Sequence, residues 1–114
     1  MNKLELNDKL AALYPKISRI LENAESELSY IYYIVDDSVR IFDLMLEYNI
    51  LLDFDWLNAH GQMLKYFTAR VKDAFYDVEI EFVKDYDSES EAARFAIAMA
   101  LVKLAEDKKY ASID

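Results

Sequence analysis

The sequence has no cysteine, one glycine (Gly61) and one proline (Pro15) among its 114 residues. Without cysteine, the chain can form no disulfide and has no thiolate to serve as a nucleophile or a metal ligand. A single glycine is too few for a phosphate-binding loop or for the glycine-rich fingerprint of dinucleotide-binding proteins. Sheets and long loops depend on turn residues such as glycine and proline. The scarcity of these two residues therefore favours long helices joined by short connections.

Positive charge is also scarce. The chain has 13 Lys and Arg residues against 22 Asp and Glu residues, which gives a formal net charge of −9. Direct binding of nucleic acids or of anionic membranes requires a positive surface, so neither is an expected partner. No signal peptide is recognisable, and the most hydrophobic stretch, residues 39–52, is too short and too charged to span a bilayer. We therefore expect a soluble cytoplasmic protein.

The apolar residues predict an all-α fold in one domain, residues 1–114. Hydrophobic residues make up 54% of the chain, which is enough for a core. The expected architecture is a small antiparallel helical bundle of two long helices, an Ala-rich C-terminal helix and a short N-terminal helix. The short helix, capped by Asn7, ends near Leu13, and the first long helix begins near Pro15. A continuous helix kinked at Pro15 is the alternative.

Residues 28–52 are apolar on nearly all sides and are predicted to form the central helix. A break at residues 52–55 leads to the second long helix, which extends to about Val83. Residues 76–82 alternate apolar and acidic side chains and could instead form a strand, but no second alternating stretch offers a partner. The last helix, from about Glu89 to Lys109, begins after Ser88, and Ser88 with Glu91 three residues on has the spacing of a capping box.

The sequence offers no catalytic constellation, and we expect neither enzymatic activity nor a metal or cofactor. His60 is the only histidine. The segment Asn58-Ala59-His60-Gly61 resembles the Ala-His-Gly segment around the catalytic histidine of HEPN ribonucleases, an all-helical family of similar size. That family has an arginine shortly before the histidine, where this chain has Phe54, Asp55 and Trp56. The resemblance therefore implies a relative without the catalytic arginine.

Negative charge is concentrated in residues 73–91, where eight acidic residues accompany one basic residue, Lys84. We call this stretch the acidic segment. Like charges so close together destabilise a fold, so the pattern predicts a docking surface for a basic partner protein. A surface that only improves solubility is the alternative.

The nine tyrosines give a second indication of binding. Tyrosine is common at protein interfaces, and Tyr30, Tyr32 and Tyr33 cannot all face one core. The predicted partner-binding residues are Asp73, Asp77, Glu79, Glu81, Asp85, Asp87, Tyr30, Tyr33, Tyr76 and Tyr86.

The predicted function is non-enzymatic binding of another protein. In size, charge and helicity the chain is similar to the small acidic inhibitors of phages and mobile elements, and to bacteriocin immunity proteins. The alternative is a homodimer or larger homo-oligomeric helical adaptor that associates through Tyr30, Tyr33, Ile34 and the Ala-rich helix.

Overall fold

The chain has an α+β fold, so the prediction of an all-α bundle is wrong. The computed structural model describes residues 1–27, 31–72 and 78–107, and within these ranges four α-helices accompany one three-stranded antiparallel sheet. Two short 3₁₀ helices, Ile34–Asp36 and Val83–Asp85, precede α3 and α4. The elements are α1 (Lys3–Leu13), α2 (Pro15–Glu27), α3 (Ser38–Glu47), β1 (Ile50–Ala59), β2 (Gln62–Val71), β3 (Glu79–Phe82) and α4 (Glu89–Glu106).

The central element is α4. The sheet, α1 and α3 all pack on α4, which is why this helix carries apolar residues around its whole circumference. Its alanines let these neighbours approach the helix axis closely. The serine half of the predicted capping box is confirmed, since the Ser88 hydroxyl accepts a hydrogen bond from the Glu91 amide at 3.1 Å. The buried residues of α4 are Ala92, Phe95, Ala96, Ile97, Ala98, Ala100, Leu101, Val102 and Leu104.

The two N-terminal helices meet at Pro15, as the sequence predicts. Tyr14 is extended and ends α1, and Pro15 starts α2 at a position where its missing amide hydrogen is not needed. The predicted cap at Asn7 is wrong, because Asn2 caps α1 by accepting a hydrogen bond from the Glu5 amide at 2.9 Å.

Asn7 instead fastens α1 to the segment before α3. Its buried side-chain amide donates to the Tyr32 carbonyl at 2.7 Å, and its carbonyl oxygen accepts from the Ile34 amide at 3.0 Å. The Tyr32 carbonyl lies outside regular secondary structure, and the Ile34 amide is in the first turn of a 3₁₀ helix, where no acceptor within the helix is in reach. The Asn7 side chain therefore satisfies two backbone groups that would otherwise lack partners.

Residues 28–52 do not form the predicted central helix, although residues 28–30 lie outside the described ranges. The Asp37 carboxylate accepts from the Arg40 amide at 3.1 Å and so starts a new helix, α3. That helix ends before Asn49, whose φ of 55° is typical of a residue that stops a helix. Ile34 and Val35 are buried in the core. The stretch is apolar because several of its elements contact the core, not because one helix is surrounded.

The predicted second long helix is replaced by a β-hairpin. β1 pairs with β2 over its full length, from Ile50 opposite Val71 to Ala59 opposite Gln62. His60 and Gly61 form the loop with φ values of 51° and 79°, which is the type I′ geometry that matches the twist of the two strands. Residues 79–82 form β3 and pair with β2. The alternation at residues 76–82 therefore indicates the structure of this stretch correctly, and the predicted helix to about Val83 is wrong. Residues 76–77 lie outside the described ranges.

Asn7→Ala should lower the free energy of unfolding by about 1–3 kcal/mol, because the Ile34 amide and the Tyr32 carbonyl lose their buried partner. Chemical denaturation measures this difference. Asn23→Ala, on the exposed side of α2, is the control and should change stability by less than about 0.5 kcal/mol. Equal effects of the two substitutions would contradict this role of Asn7.

Gly61→Ala should destabilise the protein by about 1 kcal/mol, because the loop holds this residue at a positive φ. A Cβ atom at Gly61 would meet no heavy atom within 4 Å, so the cost comes from the backbone alone. His60→Asn should raise the stability slightly, because Asn-Gly is the preferred type I′ pair. Thermal denaturation of both variants checks the assignment, and a destabilised His60→Asn protein would contradict it.

Candidate protein-binding surface

Within the described parts of the chain, one edge of β1 has no strand beside it. The strand order is β1-β2-β3, so β2 is the only described strand that pairs with β1. Residues 51–58 of this strand are all exposed. A long exposed edge presents unsatisfied backbone donors and acceptors, and it is a common site of strand addition or aggregation.

One face of the hairpin is aromatic toward its tip. Leu52, Phe54 and Trp56 alternate along β1 and are 37%, 49% and 48% exposed. Phe67 lies opposite Phe54, and Lys65 lies opposite Trp56. We call these five side chains the aromatic face. Nearer the base of the hairpin, the same face is buried against the core, so the strands hold the exposed part in a fixed position.

Lys65 organises the aromatic face. Its ammonium nitrogen lies 4.7 Å, 5.3 Å and 5.6 Å from the ring centres of Phe54, Trp56 and Phe67, distances typical of cation–π contacts. The Phe54 ring also meets the Trp56 ring edge to face, at a centroid distance of 5.5 Å. The rings are therefore oriented before any partner arrives.

Lys65 also connects the aromatic face to the acidic segment. Its ammonium group forms a salt bridge with the Glu89 carboxylate at 3.0 Å. Glu89 is the first residue of α4 and is exposed, as are Asp85 and Asp87 just before it. Apolar and acidic surfaces thus adjoin at the N-terminal end of α4.

The opposite face of β1 carries two carboxylates, which bond to the strand itself. Asp53 accepts a hydrogen bond from the Phe54 amide and Asp55 accepts one from the Trp56 amide, both at 2.8 Å. Amides two residues apart in a strand point to the same side. These carboxylates therefore satisfy two donors on one side of β1.

The structure separates the acidic residues that the sequence singled out. Glu79 and Glu81 lie on β3, at the other edge of the sheet, and Asp85 and Asp87 lie in and after the 3₁₀ helix that follows it. Glu81 accepts a hydrogen bond from the Tyr86 hydroxyl at 2.7 Å, so it also contributes to the fold. Asp73 and Asp77 lie outside the described residues.

The two predicted partner-binding tyrosines that the structure describes, Tyr33 and Tyr86, are less exposed than a binding role requires. Tyr33 is half-buried and packs on the core. Tyr86 packs on Phe95, with ring centres 4.9 Å apart. Burial, followed by the hydrogen bond to Glu81, raises the pKa of Tyr86. Tyr30 and Tyr76 lie outside the described residues. The predicted homodimer surface is also reduced, because Ile34 and most of the Ala-rich helix α4 are buried.

The aromatic face and the two aspartates were missed as a site. The apolar spacing predicts a helix break at residues 52–55 and a helix over Lys65 and Phe67. However, Leu52-Asp53-Phe54-Asp55-Trp56 alternates apolar and acidic residues as an exposed strand does. That alternation is the sequence signal that could have located the site.

A second apolar surface lies on α3. Val39, Phe42 and Leu46 are exposed at helical spacing on the side of α3 that faces away from its buried residues, Ile41 and Leu44.

His60 lies in a hairpin loop and not in a helix. His60 is exposed at the tip of the hairpin, so the resemblance to the all-helical HEPN ribonucleases loses its structural support. Within residues 1–27, 31–72 and 78–107, no group of three or more His, Cys, Asp or Glu side chains is arranged to hold a metal ion.

The chain matches no protein-family model, no curated protein and no solved structure. None of the helices described here has the length and apolar character needed to cross a membrane. The function must therefore be inferred from the geometry of the surface.

Tyr86→Phe should weaken the dependence of stability on pH above about 10, the ordinary pKa of tyrosine. Because the folded pKa is raised, the unfolded chain loses the phenolic proton first, and wild-type stability falls as the pH rises through this range. Near neutral pH the variant should be less stable by about 1 kcal/mol, owing to the lost hydrogen bond to Glu81. Urea denaturation at several pH values measures both effects. A stability difference that stays constant with pH would contradict the assignment.

Proposed function

We propose that this protein is a non-enzymatic protein-binding module of the small acidic inhibitor or immunity type, and that it binds its partner through the aromatic face. The observation that carries the proposal is the exposure of Phe54 and Trp56 on a hairpin whose strands pair along their full length. Aromatic residues provide much of the binding energy at protein interfaces, because they bury a large area and lose little conformational entropy.

Preorganisation supports this function. Lys65 fixes the rings of Phe54, Trp56 and Phe67 from one side, so little further ordering is needed when a partner binds. A surface placed on paired strands is also held more firmly than one on a loop.

Charge supports a basic partner. The net charge of −9 attracts a positively charged protein at long range and speeds encounter. At short range, Glu89 provides an acidic group at the border of the aromatic face, where it pairs with Lys65. Basic side chains of the partner would pair with this border while its apolar residues cover the rings.

The double substitution Phe54→Ser and Trp56→Ser should reduce partner binding at least about tenfold, because each ring can contribute on the order of 2 kcal/mol. The immobilised wild-type protein and the variant are compared for capture from an extract by quantitative mass spectrometry. The expected result is a basic protein that wild type captures, that salt releases and that the double variant loses.

Phe42→Ser is the matched control for this experiment. Phe42 is 54% exposed on α3, close to the 49% of Phe54, so the substitution removes a similar ring from another surface. The control should retain the partner, and circular dichroism should show that all variants are folded. Equal capture by wild type and the double variant would contradict the proposal.

The exposed residues of α3 favour a second candidate function, self-association as an adaptor. Val39, Phe42 and Leu46 would pack against a second copy. Light scattering of the wild type would then show a dimer at micromolar concentration, which Phe42→Ser would dissociate. A monomer at all concentrations would exclude this candidate.

A further inference from the structure

We infer that β1 accepts an extended segment of the partner as a fourth strand of the sheet, and that this segment alternates basic and apolar residues. The inference rests on the proposed function and adds the chemistry of the partner. It uses the backbone edge of β1 as well as its side chains. Strand addition of this kind takes its affinity from main-chain hydrogen bonds and its specificity from alternate side chains.

The hairpin register shows which backbone groups are open. In a hairpin with a two-residue loop, the residues that flank the loop form a hydrogen-bonded pair, here Ala59 and Gln62. Bonding then alternates along β1. The backbone N–H and C=O groups of odd-numbered residues bond to β2, and those of even-numbered residues point away from β2, toward the open edge. The bonds of the Phe54 and Trp56 amides to carboxylates, rather than to β2, agree with this assignment.

Asp53 and Asp55 protect this edge. Each carboxylate occupies an outward amide that an added strand would need, so a neutral or acidic strand would have to displace a charged acceptor. A strand with lysine or arginine opposite these positions can draw the carboxylates into salt bridges. The amides of Phe54 and Trp56 are then released to bond to the carbonyl groups of the new strand.

The two faces of β1 set the pattern of the partner. One row of side chains on the added strand would lie beside Asp53 and Asp55, and there basic residues fit. The other row would lie beside Leu52, Phe54 and Trp56, and there apolar residues fit. Because successive side chains of a strand point to opposite faces, the matching segment alternates basic and apolar residues.

A second copy of β1 fits this edge poorly. Two-fold antiparallel pairing centred on residue 53 or 55 places an aspartate directly opposite its symmetry mate. Pairing centred on Phe54 places Asp53 opposite Asp55 twice. Like charges directly opposite on neighbouring strands are destabilising, so the three symmetric registers centred on residues 53, 54 and 55 are disfavoured.

The test uses the whole protein and a short peptide in which lysine and valine alternate. Amide hydrogen exchange, read by NMR, should slow at Phe54 and Trp56 by at least about tenfold when the peptide is saturating, because these amides gain new acceptors. Asp53→Asn together with Asp55→Asn should weaken peptide binding by about thirtyfold, the effect of two exposed ion pairs at the upper end of their usual strength.

Two control peptides separate strand addition from simple charge attraction. The first has the same sequence with the valine amides N-methylated. Valine lies opposite Phe54 and Trp56, so these are the amides that would bond to β1, and their methylation keeps the charge but prevents strand pairing. This peptide should lose most of the affinity. The second replaces lysine by glutamate and should not bind. Equal binding of the N-methylated peptide, or unchanged exchange at Phe54 and Trp56, would overturn the inference.

The outcomes distinguish this inference from the proposed function. If the aromatic substitutions abolish partner capture but the two amides stay unprotected in the presence of the peptide, the strand addition is wrong and the binding surface stands. If the aromatic substitutions leave partner capture unchanged and the two amides also stay unprotected, both the proposed binding surface and the strand addition are wrong. Protection of the two amides in a dimer without any peptide would show that a second copy is the occupant, and it would overturn the inference.

Discussion

The fold depends on the burial of α4 from every side. The sheet and the helices α1 and α3 pack on this one element, and its alanines keep the surrounding layers close. The Tyr14 hydroxyl, from the end of α1, donates a hydrogen bond to the Leu101 carbonyl, so a polar contact also crosses the core. A bulky residue at one of the buried alanines would push a neighbouring element away from α4, because the close-packed core has no space for it.

The hairpin extends from this core, and the part of it beyond the core is exposed. At its base, Ile50 and Ala69 are buried, and toward its tip the same face becomes exposed and aromatic. The type I′ loop fixes the register, and the register determines which side chains share a face and which backbone groups reach the edge. A one-residue shift would move the rings to the other face, so the candidate site depends directly on the geometry of His60 and Gly61.

The sequence indicates local structure well where side chains bond to nearby backbone. Ser88 with Glu91 and the position of Pro15 correctly predict where α4 and α2 begin, because capping and the missing proline amide act within one helical turn. The hairpin was not recognised, since Trp56, His60, Met63 and Phe67 also have helical spacing and His-Gly is a weaker loop signal than Asn-Gly. The aromatic face was missed for the same reason, because exposure on a sheet depends on a pairing that the local sequence does not specify. Apolar residues around the axis likewise suggested two buried helices, and only α4 is one.

The position of α4 in the chain has a consequence for biosynthesis. A ribosome makes α1, α2, α3 and the hairpin before residues 89–106 emerge, yet all but α2 pack on this last helix. Until then, the buried base of the hairpin lacks its main neighbour, and the core described here cannot be completed. During that interval, the carboxylates of Asp53 and Asp55 lie within the most exposed strand. They would serve as charged gatekeepers against pairing between nascent chains.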